Sequence, residues 1–136
     1  MQDSIFLDSN ILLYAIGNDK YKKSLSIELI KKTPVIMVQV LNEISNIMIR
    51  KLKLSYQDIH RIIDFIIRKC IIKSIDIITI RKALNISEKY KYSYYDSLII
   101  SSALENNCNI LYTEDMHHGQ NIENILKIIN PFLPES

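Results

Sequence analysis

Apolar and polar positions along this chain switch between two periods, and the switches divide it into strands and helices. Ile5-Phe6-Leu7 is a short apolar run bounded by polar residues, with a β-favouring Ile-Phe pair, and it predicts a buried strand. Asp8-Ser9-Asn10 then offers three good N-cap residues for a helix over residues 11–16, which Gly17-Asn18-Asp19 can end. A helical pattern resumes over residues 24–32 with Leu25, Leu29 and Ile30 on one face, until Pro34 breaks it. Val35-Ile36-Met37-Val38 predicts a second strand, and a helix follows through Lys53. Its stripe is Val40, Ile44, Ile47, Met48 and Leu52, with Glu43 just outside the edge.

Ser55 can cap the next helix, in which Ile59, Ile62, Ile63, Ile66 and Ile67 recur at helical spacing. Residues 71–75 predict a weak third strand, and Asp76 can cap a helix through about Tyr90. Ser93 opens a helix to about Asn106 whose apolar arc covers more than half its circumference, so it should be largely buried. Residues 109–112 predict a fourth strand. After a polar loop with Gly119, residues 125–129 predict an edge strand closed off by Pro131. Strands alternating with helices predict an α/β domain with a mostly parallel sheet of about five strands and right-handed crossovers.

Composition narrows the class. The chain has 136 residues, 48% hydrophobic and 24% charged, with two Gly and three Pro, which suits one compact domain over residues 1–136 without repeats or a flexible linker. Seventeen basic against fifteen acidic residues leave a formal charge of +2, too small by itself to argue for a nucleic-acid partner. Cys70 and Cys108 are isolated and beside apolar runs, as reduced thiols of a cytoplasmic protein would be; zinc is not expected. Residues 1–4 carry no basic segment before the apolar run, and the Ile-rich region 62–80 is interrupted by Asp64, Arg68, Lys69, Lys73 and Asp76. Neither export nor a membrane span is expected.

The informative carboxylates end a strand or interrupt an apolar face. Asp8 ends the first strand, where open α/β sheets place their ligands, although capping of the next helix explains it equally well. Asp96 points into the apolar arc of its helix, between Ile100 and Ala103; Ser93-Tyr94-Tyr95-Asp96 also fits a capping box. Asp115 lies just beyond the fourth strand, and Glu43 near the start of a helix. A parallel sheet would deliver all four to one edge. Each close carboxylate pair there would cost about 4 kcal/mol at 4 Å and an effective dielectric near 20, which a bound divalent cation offsets. An all-oxygen set suits Mg²⁺ or Mn²⁺, and such ions activate water for phosphodiester hydrolysis.

Leu7-Asp8-Ser9-Asn10-Ile11-Leu12, Glu43, Tyr95-Asp96-Ser97-Leu98-Ile99 and Leu111-Tyr112-Thr113-Glu114-Asp115-Met116 resemble, in order and spacing, the four acidic motifs of PIN-domain ribonucleases. The resemblance covers essentially the whole chain, and its length and compactness resemble the VapC toxins of toxin-antitoxin pairs in particular. It implies a three-layer α/β/α fold and a catalytic quartet of Asp8, Glu43, Asp96 and Asp115. Asp8, Asp96 and Asp115 would touch Mg²⁺ or Mn²⁺ directly or through water, and Asn10 and Thr113 would orient them. It further implies an RNA substrate, an antitoxin protein partner and a homodimer, with the helices after Val38 and Ser55 as the pairing face. Glu114, next to Asp115, can trade roles with it.

Other features weigh less. Lys89-Tyr90-Lys91-Tyr92-Ser93-Tyr94-Tyr95 interleaves bases and aromatics and can hold phosphates and unpaired bases, though such segments are more often solvated helix ends. Lys20, Lys22, Lys23, Arg50, Lys51 and Lys53 are candidates for backbone contacts, and His117-His118 for a phosphate; His60 reads as structural. Three rival readings stay open. They are an RNA-processing nuclease without an antitoxin, a non-catalytic RNA-binding module whose acidic residues only cap helices, and a receiver-type phosphoacceptor domain. The last lacks a clear Lys after a late strand.

Overall fold

The computed structural model describes residues 3–134. Met1 and Gln2, part of the stretch read for an export signal, lie outside the described residues, as do Glu135 and Ser136. Twelve elements follow in the order β1 (Ile5–Leu7), α1 (Ser9–Ala15), α2 (Lys20–Ile30), β2 (Val35–Met37), α3 (Val38–Arg50), α4 (Tyr56–Lys69), β3 (Ile71–Lys73), α5 (Ile77–Tyr90), α6 (Tyr94–Glu105), β4 (Ile110–Tyr112), β5 (Asn121–Ile122) and β6 (Leu126–Ile129).

One six-stranded sheet runs in the order β3-β2-β1-β4-β6-β5, parallel except for β5 against β6. β1 lies at its centre, with Phe6 opposite Val35 on one side and Leu111 on the other. Helices flank the sheet in two packed groups, α1 to α4 and α5 with α6. Phe6, Leu7, Ile36, Leu111 and Ile128 are accordingly buried, as strands covered on both faces must be. Among the described residues no helix is long and apolar enough to cross a membrane.

Local chemistry sets most boundaries. Asp76 and Thr79 form a full capping box at the start of α5, and Ser55 accepts from the Asp58 amide at the start of α4. Residues 97–104 of α6 are all buried, in line with the largely buried helix its sequence predicts, and Ser101 Oγ donates to the Thr79 carbonyl of α5 at 2.8 Å. Cys70 and Cys108 are free and buried, and burial pushes the Cys70 thiol up to about 11.

Four expectations are corrected. Asp19 does not merely end α1; it caps α2, which begins at Lys20 rather than Ser24, because its carboxylate accepts from the Lys22 amide. α3 ends at Arg50, before a turn in which Lys53 takes a left-handed φ of 51°, and Leu52 therefore leaves the apolar stripe and is 46% exposed. Ile67 likewise faces solvent on α4. The predicted edge strand over 125–129 is interior: β6 lies between β4 and the antiparallel β5, whose two residues are too few to leave a periodic signal.

Candidate active site

Asp8 extends the pairing of β1, its amide donating to the Tyr112 carbonyl at 3.1 Å, and then turns the chain into α1. Of the three cap residues that the sequence offers, Asp8 is the N-cap of α1. Its Oδ1 accepts from the Ser9 amide at 2.7 Å and its Oδ2 from the Thr113 hydroxyl at 2.9 Å. Capping and facing the site thus fall on one carboxylate. Beside it, at the carboxyl ends of the parallel strands, lies a cavity of about 430 Å³. Asp8, Glu43, Asp96 and Asp115 all line it.

Each side chain arrives on a different element. Glu43 is exposed on α3, on the face that also presents Gln39 and Asn42 to the cavity. Asp96 stands half-buried in the first turn of α6, where its amide donates to Ser93 Oγ at 3.2 Å. Asp115 follows β4, its amide held by Thr113 Oγ1 at 3.2 Å. Asn10 joins the two ends of the site. Its Nδ2 donates to Thr113 Oγ1 at 3.3 Å and to Asp115 Oδ2 at 2.9 Å, while its Oδ1 accepts from the Glu114 amide at 3.2 Å.

Glu114 faces elsewhere. It accepts from the Tyr14 hydroxyl and from Lys22 Nζ, and Lys22 in turn sits over the rings of Tyr14 and Phe132. Burial pushes the Glu114 carboxyl up, but the Lys22 and Tyr14 hydrogen bonds outweigh it and hold the group below the usual carboxylate range. Asp115 and not Glu114 therefore lines the cavity. Nothing in the sequence separates Lys22 from the other lysines of its helix, so this clamp was not legible there. Gln39, three residues before Asn42 and four before Glu43, marks one polar helix face that the helical spacing makes legible in the sequence. Lys20, Lys23, Arg50, Lys51 and Lys53 are exposed and line no part of the cavity.

The electrostatics are those of uncompensated carboxylates. Burial raises the Asp8 carboxyl to about 6; the Ser9 amide and Thr113 hydroxyl pull it down, and the charges of Asp96 and Glu43 push it further up. Burial also raises Asp96, opposed by the Ser93 hydroxyl and aided by the charge of Asp115. No Lys, Arg or His lines the cavity, so no cationic side chain of the described residues offsets the four acids there. As they stand, no three acidic, His or Cys side chains among the described residues form a ready-made metal cluster. The all-oxygen donor set still fits Mg²⁺, which keeps several waters and takes only one or two carboxylates.

A mostly parallel α/β sheet that delivers four acids to a cavity at its carboxyl edge defines a class of domain with an acidic site on a helix-flanked sheet. Within that class a family is identified. A PIN domain model matches residues 5–120, and the chain belongs to the PIN-domain family. The fold is similar to that of a toxin-antitoxin complex from Klebsiella pneumoniae (TM-score 0.73, 17% identity, 95% of this chain and 98% of that chain). It is also similar to VapBC2 from Rickettsia felis bound to a DNA fragment from its promoter (0.62, 23%, 91% and 96%). A third similar structure is Mycobacterium tuberculosis VapC20, a sarcin-ricin loop cleaving toxin (0.61, 14%, 82% and 90%). No curated protein sequence matches the chain significantly.

Proposed function

We propose that this chain is a Mg²⁺- or Mn²⁺-dependent endoribonuclease and the toxin of a toxin-antitoxin pair. The observation that carries the reading is the convergence of Asp8, Glu43, Asp96 and Asp115 from four segments on one cavity without a cationic side chain in its lining. Capping alone accounts for Asp8 and for the position of Asp96 in a first turn, but not for Glu43 and Asp115 facing the same space. Membership of the PIN family and the likeness to structures described as a toxin-antitoxin complex and a sarcin-ricin loop cleaving toxin support the choice of substrate and context.

Asp8, Asp96 and Asp115 are the residues that would hold the cation, one or two of them directly and the rest through its retained waters. Bound there, a divalent ion supplies an activated water and neutralises charge on a phosphodiester. The chain's own part is to prepare the carboxylates. Thr113 and the Ser9 amide fix both oxygens of Asp8, Asn10 fixes Asp115, and Glu43 remains free at the rim to accept a proton from an attacking water. Hydrolysis runs by water with no covalent intermediate. The protein works in the cytoplasm beside an antitoxin, and pairs as a homodimer through α3 and α4, where Ile49, Tyr56 and Phe65 are exposed.

The decisive test is Mg²⁺-dependent cleavage of mixed RNA by the native chain and by Asp8→Asn and Asp96→Asn. Cleavage by the native chain alone supports the reading. Equal cleavage by the variants, or none from the native chain with any divalent ion, removes it. An adjacent small open reading frame with a DNA-binding N-terminus supports the toxin assignment, and its absence favours an RNA-processing nuclease.

A further inference from the structure

A second cavity, of about 580 Å³, differs from the acidic one in chemistry. It is lined by Lys91, the tyrosines at 90 and 92, and the loop His117-His118-Gly119, and no Asp or Glu lines it. Chain connectivity ties the two cavities together. His117 is two residues beyond Asp115, at most about 7 Å along an extended chain. Tyr92 directly precedes Ser93, the residue that caps the helix bearing Asp96.

The walls are built, not loose. The Tyr92 hydroxyl donates to Gln120 Oε1 and accepts from the His117 amide at 3.1 Å, which joins the two sides. Burial raises the Tyr92 phenol, the His117 amide opposes that, and the charge of Asp96 in the acidic site adds to it. His118 Nδ1 accepts from the Asn130 amide at 2.9 Å, so neutral His118 carries its hydrogen on Nε2 as a donor. Gly119 holds a left-handed φ of 87° while its amide donates to the Ile128 carbonyl at 2.7 Å, which fixes the loop to β6. Glu123, the carboxylate bonded to this rim, already accepts from Lys89 Nζ and the Tyr90 hydroxyl. Lys91 has no such partner among the described side-chain hydrogen bonds and ion pairs, and stands exposed at the end of α5.

We infer that this second cavity is a subsite for a phosphate-bearing unit of single-stranded RNA, one that anchors the strand next to the acidic cavity. Lys91 supplies the charge, the histidine side chains the donors, and the tyrosines a surface for an unpaired base. The logic is complementary. Four carboxylates repel a polyanion until a cation is bound, so strand affinity has to come from a neighbouring surface free of acid. These residues bind the strand and take no part in the chemistry. The inference rests on the proposed RNA cleavage for the identity of the strand, and its test is a binding measurement.

Fluorescein-labelled single-stranded RNA of mixed sequence is titrated into Asp8→Asn and into the same chain carrying Lys91→Asn or Lys91→Arg, over a range of KCl. Asn tolerates the left-handed φ of 66° at this position, so the backbone is kept. The expected result is affinity roughly fivefold to tenfold weaker for Lys91→Asn, with the slope of log K against log salt reduced by about 0.7, and both restored by Lys91→Arg. Equal affinity and slope in all three overturns the subsite. If Asp8→Asn still cleaves the RNA, it is the proposed chemistry that fails, and the binding comparison stands on its own.

Discussion

Asn10 Nδ2 donates to Asp115 Oδ2 at 2.9 Å across 105 positions of sequence, and the same amide group reaches Thr113, which in turn donates to Asp8. One side chain on α1 thus sets the spacing of the carboxylates that end β1 and follow β4. Asn10→Ala removes both donors and the acceptor of the Glu114 amide. RNA cleavage is expected to fall by about 10- to 100-fold with Mg²⁺ half-saturation shifted upward, while circular dichroism stays native. Unchanged metal dependence would show that Asn10 does not orient Asp115.

Glu114 and Asp115 are adjacent acids that face different partners, Glu114 the clamp of Tyr14 and Lys22 and Asp115 the acidic cavity. Asp115→Asn should reduce cleavage by on the order of a hundredfold or more, as removal of a group facing the reacting atoms does. Glu114→Gln should leave most of the activity and lower the melting temperature, because the Lys22 and Tyr14 partners lose their charged acceptor. Reversed results would exchange the two assignments.

The pH response follows from Asp8. Its carboxyl, ordinarily near 3.8, stands at about 6 in the fold, so the folded state favours the protonated form. That contribution to stability is complete below the ordinary value and is lost as pH rises through about 6. In EDTA, Asp8→Asn should therefore be more stable to urea unfolding than the native chain at pH above 7, by about 1–2 kcal/mol, since Asn keeps one of the two acceptors and removes the buried charge. The gap should close near pH 4 to 5. Mg²⁺ should narrow it at neutral pH by stabilising the native chain alone. A constant gap across pH would contradict the burial of an ionisable Asp8.

Two serines on α6 should respond in opposite ways. Ser101 Oγ is bonded to the Thr79 carbonyl and buried, so Ser101→Ala should cost about 1–2 kcal/mol in urea unfolding. Ser97 Oγ is buried without a partner among the described residues, so Ser97→Ala should be neutral or slightly stabilising. Equal losses at both positions would place an unseen partner on Ser97.

The sequence by itself determined the α/β class, most element boundaries and the identity of the acids, because buried parallel strands and amphipathic helices write their periods directly into the chain. Ile5-Phe6-Leu7 and the eight buried residues of α6 are cases where local pattern and final environment coincide. Only the tertiary structure decided that Asp8 both caps α1 and faces the cavity, and that Lys22 and Tyr14 hold Glu114 aside so that Asp115 turns inward. It alone revealed that β6 is an interior strand covered by a two-residue β5. Each of these depends on partners up to about a hundred residues apart, joined by hydrogen bonds and charges that carry no period in sequence.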